Sequence, residues 1–269
     1  MRVRAARLRG VSEHASNVTP PGRPALDPAD AGGLDASDAL TLLGNGEITV
    51  TGRLVEASNT TLYCEISLDG VSGRCVYKPV RGERALWDFP DGTLAGRERA
   101  AYLVSEETGV GIVPPTVLRG GPFGVGMVQL WIDVDETVDL FALTRSDDPQ
   151  LRTIALFDAV VNNADRKGGH LLPAPSGRIY GVDHGVTFHV ENKLRTVLWT
   201  WRGQRLHADE VELLTCLREA LDGSLAGTLA GPLTDAEING LRARVVRLLT
   251  ERRFPTPSGD WPAIPWPPF

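Results

Sequence analysis

Cysteine is nearly absent from this chain. Only Cys64, Cys75 and Cys216 are present, an odd and sparse set that suits a reducing cytoplasm and excludes a disulfide scaffold. Cys64 and Cys75 fall on neighbouring expected strands and are read as two buried free thiols. Positive charge is also short: 28 Lys and Arg against 34 Asp and Glu leave a net charge of −6. That balance argues against sequence-independent nucleic-acid binding, which needs a basic surface. No apolar run comes close to the roughly 20 residues required to cross a bilayer. The start, MRVRAARLRG, is basic but lacks the apolar stretch of a secretory signal. No internal repeat is visible.

At 269 residues the chain has room for one large domain or for two small lobes sharing a cleft. Residues 1–33 are rich in Arg, Pro, Gly, Ala and Asp, and read as a mobile, disordered arm. A short helix is expected over 35–43, closed by Gly44-Asn45-Gly46. Three strands follow. GEITVTGRLVE alternates Ile48, Val50 and Leu54 with polar residues; TLYCEISL returns after the small polar turn Ala57–Thr60; GRCVYKP follows the hairpin signal Asp69-Gly70. Together they make an antiparallel meander.

A helix is expected from about Gly96 to Gly109. VPPTVL and GVGMVQLWI read as two more strands, the first on an edge because of Pro114 and Pro115, the second buried on both faces. From residue 133 the chain turns mainly helical. Asp148 caps, and Pro149 opens, a helix through QLRTIALFDAVV. Another covers 209–221, and Thr234-Asp235-Ala236-Glu237 has the capping-box spacing that opens a last one to about Arg253. The segment 254–269 is rich in Pro and Trp and reads as an extended strap laying Trp261 and Trp266 on the body. The class is α+β.

The stretch 161–188 carries the chemistry. Asp165 and Asp183 each stand in a polar, Gly-flanked setting at the end of an apolar run. Carboxylates placed so are aimed into a cleft, toward a metal or a phosphate. Taken alone, Asp165 is a loop acid capping a helix end and Asp183 a structural turn; as a pair they favour function. Lys78 ends the third strand and by itself reads as a solvated lysine. Glu98 shares the more apolar side of its helix with Ala101, Tyr102 and Ser105 and needs a cation, which Lys78 could supply; a first-turn glutamate also answers the helix dipole. Asn162 and Asn163 read as helix caps, with Asn163 able to orient Asp165. Arg166 and Lys167 read as solvated, and His184 and His189 as structural.

Taken in order, these parts are a β-meander with a small-residue turn, a lysine in VYKP, a helix glutamate, the strand MVQL, then ADRKGGHLL and GVDHG. In that order the chain resembles the protein-kinase-like superfamily, in its atypical branches. It is most similar to the phosphatidylinositol 3- and 4-kinase catalytic domain, and more narrowly to an actinobacterial family distantly like it. The resemblance covers roughly residues 45–250, and the order and spacing of short motifs carry it. It implies a bilobal protein-kinase-like fold, with a small antiparallel β N-lobe over 34–132 and a mainly helical C-lobe over 133–253. It implies ATP, Mg²⁺ or Mn²⁺, and phosphate transfer to a hydroxyl acceptor: a lipid, a small molecule or a protein. Lys78 would hold the phosphates and Glu98 would pair with it. The turn Ala57–Thr60 would cover the phosphates, using Ser58 and Asn59. Gln129 and Leu130 would run into the hinge at the adenine edge. Asp165 would position and deprotonate the attacking hydroxyl, and Asp183 would bind the metal.

Departures from the family's pattern are concentrated in the same stretch. His170 stands where the second metal ligand is usually Asn. Imidazole is softer than Mg²⁺ prefers, so Mn²⁺, a single metal, or a phosphate contact from His170 would each fit. His184 replaces the phenylalanine of the Asp-Phe-Gly type motif. These changes open a second reading, an ATP-binding pseudokinase with a regulatory or scaffold role. A third, a metal-dependent hydrolase using Asp165, His170, Asp183 and His184, leaves Lys78 and Glu98 without a role. No basic docking helix marks a lipid surface, and neither the acceptor nor the oligomeric state is legible.

Overall fold

The structure, a computed structural model, describes residues 26–54 and 59–269. Its first half is organised on one antiparallel sheet of five strands in the order β1-β2-β3-β5-β4. These are β1 Glu47–Arg53, β2 Leu62–Leu68, β3 Val71–Pro79, β4 Thr116–Gly121 and β5 Gly124–Leu130. Asp69 and Gly70 both take left-handed backbone, at φ 49° and 85°, and so close the β2–β3 hairpin tightly. That register sets Cys64 opposite Cys75, both buried and both free thiols.

Strand alternation then decides what faces where. Cys64, Ile66, Cys75, Tyr77 and Val128 point to one side, where α1 (Ala36–Asn45) covers them with Leu42 and Leu43. By the same alternation Tyr63, Arg74, Val76, Lys78 and Gln129 share the other side. β4 lies on the edge as expected, but it begins only after Pro114 and Pro115, which cannot donate to a ladder. β1 is more exposed than its alternation suggests: it is the other edge, it is bulged between Val50 and Gly52, and Val50 stays exposed.

The second half is mostly helical. After α2 (Leu94–Glu107) and the sheet come α3 (Leu140–Leu143), α4 (Pro149–Val161), α5 (Ala208–Asp222), α6 (Ser224–Leu229) and α7 (Asp235–Glu251). A small hairpin, β6 Leu171–Pro173 with β7 Ile179–Gly181, sits between α4 and α5. Local signals set these ends. Asp148 accepts from the Gln150 N–H ahead of Pro149, Asn162 ends α4 in the left-handed region, and Thr234 and Glu237 make a reciprocal box. α6 has no clear signal in the sequence pattern.

α2 joins the halves. Its Ala100, Ala101 and Val104 enter the helical core with Leu151, Leu214 and Leu241, and each buried Leu stabilises by about 1.5–3 kcal/mol. Arg97 of α2 ion-pairs with Glu237 of α7 and donates to the Thr187 carbonyl at 2.6 Å.

Two expectations need correction. Residues 1–25 lie outside the described residues, but 26–33, read as part of a disordered arm, have a fixed place. Leu26 and Asp30 are buried, and Asp30 accepts from the Ser176 hydroxyl at 2.6 Å and from Tyr180 at 3.2 Å. A buried carboxylate so satisfied pins its segment to the body. In the strap, Trp261 stacks on Trp87 at 6.0 Å, whereas Trp266 is 86% exposed and does not lie on the body.

Candidate nucleotide and phosphate site

Lys78 reaches the cleft because β3 presents its even-numbered residues there. Its ammonium touches Glu98 Oε1 at 2.6 Å and Asp183 Oδ1 at 2.9 Å. One cation therefore ties the sheet, α2 and the loop after β7 together. Burial works against the Lys78 charge, and Asp183 and Glu98 outweigh it, holding the lysine above its ordinary value. Glu98 is fully enclosed, and its second oxygen accepts the His184 N–H at 2.9 Å. Burial pushes Glu98 upward, opposed by Lys78; with both oxygens taken by donors, the ion pair is the form that fits the site. Asp183 is held well below the usual carboxylate range, chiefly by Lys78 against burial. Its backbone is left-handed at φ 61°, a strained setting for a non-glycine residue, and its side chain stays 46% exposed.

Asp165 stands on the loop after α4. Its N–H donates to Asn163 Oδ1 at 3.0 Å, and Asn163 in turn donates to Asp158 at 3.0 Å. Burial raises the Asp165 pKa, and the Lys167 ammonium, 3.3 Å from Oδ2, opposes that rise. A carboxyl lifted in this way is a better base than an ordinary aspartate.

His170 approaches Asp183 Oδ2 with Nε2 at 3.3 Å, and burial lowers its pKa to about 4, so the ring is neutral at pH 7. Its Nδ1 accepts the Lys167 N–H at 3.4 Å. That contact assigns the proton to Nε2, which makes His170 a donor toward Asp183. Taking a metal on Nε2 requires moving that proton to Nδ1 and giving up the Lys167 contact. Among the described residues no group of three or more His, Cys, Asp and Glu side chains gathers to hold a metal. One half-exposed carboxylate is nevertheless a fitting donor for a hard cation whose other ligands are phosphate oxygens and water.

Of the residues expected to meet a nucleotide, Ser58 lies outside the described residues. Asn59 gives its side-chain oxygen to the Arg84 N–H at 2.8 Å. Gln129 is buried and donates to the Thr116 hydroxyl at 2.8 Å, while the Leu130 N–H donates to the Pro115 carbonyl at 2.9 Å. The groups expected at the adenine edge are thus committed within the sheet. A concavity of about 480 Å³ is lined in part by Asp30, Glu65, Arg74 and Trp131 and does not include Lys78, Asp165 or Asp183. The converging charges, rather than that concavity, mark the candidate site.

No family model matches the chain. Protein Rv2133c of Mycobacterium tuberculosis is 47% identical over 267 residues, spanning 86% of this chain and 96% of the relative. The chain belongs to the Rv2133c family. Among solved structures, the Helicobacter pylori proinflammatory kinase CtkA is similar with a TM-score of 0.45 and 11% identity, over 78% of this chain and 93% of that one. A likeness of that degree is too loose to assign an activity.

Several features of this Rv2133c-family site go unmarked in the sequence reading. Arg166, read as solvated, is fully buried: it grips both oxygens of Asp158 at 2.9–3.2 Å and donates to the Val182 carbonyl at 2.8 Å. It also meets His184 Nε2 at 2.6 Å, and because guanidinium only donates, that nitrogen accepts. His184 is consequently neutral and held by Arg166, not aimed at Asp183 as a hydrolase would need. An aspartate on the apolar face of α4 was the available signal. Tyr63 and Trp131, edge to face at 4.8 Å beside Arg74, form an aromatic wall on the Lys78 side of the sheet.

Proposed function

We propose that this protein is an ATP- and divalent-metal-dependent phosphotransferase of protein-kinase-like, bilobal architecture, acting on an alcohol group. The observation that carries this reading is the Lys78 ammonium shared between Glu98 and Asp183, with Asp165 on the adjacent loop. In this reading Lys78 meets the nucleotide phosphates and Glu98 keeps it oriented. Asp183 holds Mg²⁺ or Mn²⁺, with His170 as its neutral neighbour and donor. Asp165 orients the hydroxyl and takes its proton. A bound metal supplies charge neutralisation on the phosphates. In this reading the sequence around Asn59 and Thr60 covers the phosphates, and the base stacks near Tyr63 and Trp131. A lipid acceptor is suggested by the resemblance to phosphatidylinositol kinases alone.

Incubating the protein with γ-labelled ATP, Mg²⁺ or Mn²⁺ and hydroxyl acceptors tests this directly. Labelled acceptor should form, and Asp165→Asn should abolish it. If ADP release never exceeds the blank and Asp165→Asn matches wild type, the enzyme reading is wrong. A second reading, an ATP-binding pseudokinase acting as a switch or scaffold, is favoured by the Nε2 proton of His170. It expects ATP to raise the melting temperature by mass action without turnover.

A further inference from the structure

Asp165 lies where two segments run side by side. The Arg195 N–H donates to the Asn163 carbonyl at 2.9 Å, the Arg166 N–H to the Arg195 carbonyl at 3.1 Å, and the Val197 N–H to the Arg166 carbonyl at 3.1 Å. This parallel pairing, with Arg166 opposite Thr196, sets Arg195 abreast of Asp165, beyond ion-pair distance but with its positive charge opposing the rise in that carboxyl's pKa. The Arg195 Nε is buried and has no hydrogen-bond partner among the described residues. Lys167, itself mostly buried, is 3.3 Å from Asp165 on the same loop. Two cations therefore attend one carboxylate. Each cation takes back part of the basicity that burial gives this carboxylate. An unpartnered guanidinium N–H is also costly to bury. Both costs are offset if a second anion belongs there.

Both flanks of this place are covered by the strap. The Ala263 carbonyl accepts the Thr196 N–H at 3.1 Å and the Trp199 indole N–H at 2.8 Å. On the other flank the Pro268 carbonyl accepts the Gly168 N–H at 2.8 Å, and the Phe269 ring fills the space where any side chain at position 168 would stand. Asp165 keeps about a third of its side chain exposed, 32%, between these covers. The opening suits a compact molecule.

We propose that Arg195, with Lys167, forms the acceptor subsite, and that the acceptor is a small hydroxyl compound bearing a phosphomonoester or carboxylate group. This rests on the phosphotransferase reading. In the transfer the acceptor oxygen forms a bond to the γ-phosphorus of ATP and the bond from that phosphorus to the β–γ bridging oxygen breaks. ADP leaves with the electron pair, and the hydroxyl proton passes to Asp165. Arg195 holds the acceptor's anion, which also relieves the excess positive charge beside the base.

The test compares glycerol, glycerol 3-phosphate and glycerate, which share hydroxyls and differ in charge. ADP formation is followed with ATP and Mg²⁺ or Mn²⁺. Wild type should use one or both anionic compounds and not glycerol, and the two anions separate a phosphate from a carboxylate preference. Arg195→Gln should raise KM for the anionic acceptor about 10- to 100-fold while leaving KM for ATP unchanged; Arg195→Lys should lose less. In parallel, without nucleotide, millimolar glycerol 3-phosphate, glycerate or inorganic phosphate should raise the melting temperature of wild type, and Arg195→Gln should erase the shift. If glycerol serves as well as the anions, or Arg195→Gln leaves the preference intact, the subsite is wrong and the phosphotransferase stands. If an anion-induced shift depends on Arg195 but nothing is phosphorylated, the subsite stands and the phosphotransferase reading falls. Absence of both shift and anion preference overturns the subsite.

Discussion

Two ionic clusters share the loops after α4 and β7, and they are built to opposite ends. Asp158 and Arg166 are wholly enclosed, and fixed groups hold the pair: their own bidentate contact, the Asn163 amide, two carbonyls and a ring nitrogen. Lys78, Asp183, Asp165 and His170 use the same residue types, yet Asp183 and Asp165 stay 46% and 32% exposed. The first cluster fixes backbone; the second holds charges in reach of something that can arrive from the cleft. Burial and the completeness of partners, not residue identity, separate the enclosed acids from the accessible ones here.

The sharpest way to break that contrast is a swap of readouts. Asp165→Asn should cut acceptor phosphorylation by about 10²- to 10⁴-fold, the usual share of a positioned base, while urea unfolding stays near wild type. A large stability loss instead would place Asp165 with the structural cluster. Asp158→Ala should do the reverse. Leaving Arg166 buried without its carboxylate should destabilise by about 3–5 kcal/mol, visible as a lower urea midpoint with unchanged slope. A loss under about 1 kcal/mol would show that the enclosed pair does not hold the loop.

A third prediction separates the clusters by pH. His170 has its pKa depressed from 6.5 to about 4 in the folded protein. The unfolded chain therefore binds a proton at this ring across that range and the folded chain does not. Stability from this group is present above pH 6.5 and lost as pH falls toward 4, by at most about 3 kcal/mol. In the presence of chelator, His170→Gln should lose less stability than wild type between pH 7 and pH 4.5; equal losses would remove His170 from the account. The smallest effect is expected at the strap. Lys193 is buried with its ammonium 4.5 Å from the Trp261 ring and 4.6 Å from that of Trp87, and it pairs with Asp88 at 2.7 Å. Trp261→Ala should cost about 1 kcal/mol, measured by thermal unfolding. No change would mean the Asp88 pair suffices.

Much of the layout is written locally. Asp69-Gly70 specifies its hairpin, Asp148-Pro149 and Thr234–Glu237 specify helix starts, and the placing of Glu98 among Ala101, Tyr102 and Ser105 exposes a glutamate in want of a cation. Each of these signals is an energy between residues within a turn or two of one another, so the chain carries it before folding. Asp165 and Asp183 were legible as candidates because each stands at the end of an apolar run, whereas Lys78, solvated when taken alone, became one only as the cation that Glu98 lacks.

What the sequence could not decide were the energies between distant groups. Lys78 and Asp183 are 105 positions apart, and only the packing of β3 against the loop after β7 makes them partners. Arg166 sits beside Asp165 in an exposed-looking polar run, yet α4 draws it inside because Asp158 waits there unpaired. His170 became a hydrogen-bond donor because of a backbone amide facing its other nitrogen. Local pattern determined the elements and the roster of acids and cations. Tertiary structure decided which of them are walled in and which are left open to chemistry, because desolvation and partner geometry exist only once the chain has closed on itself.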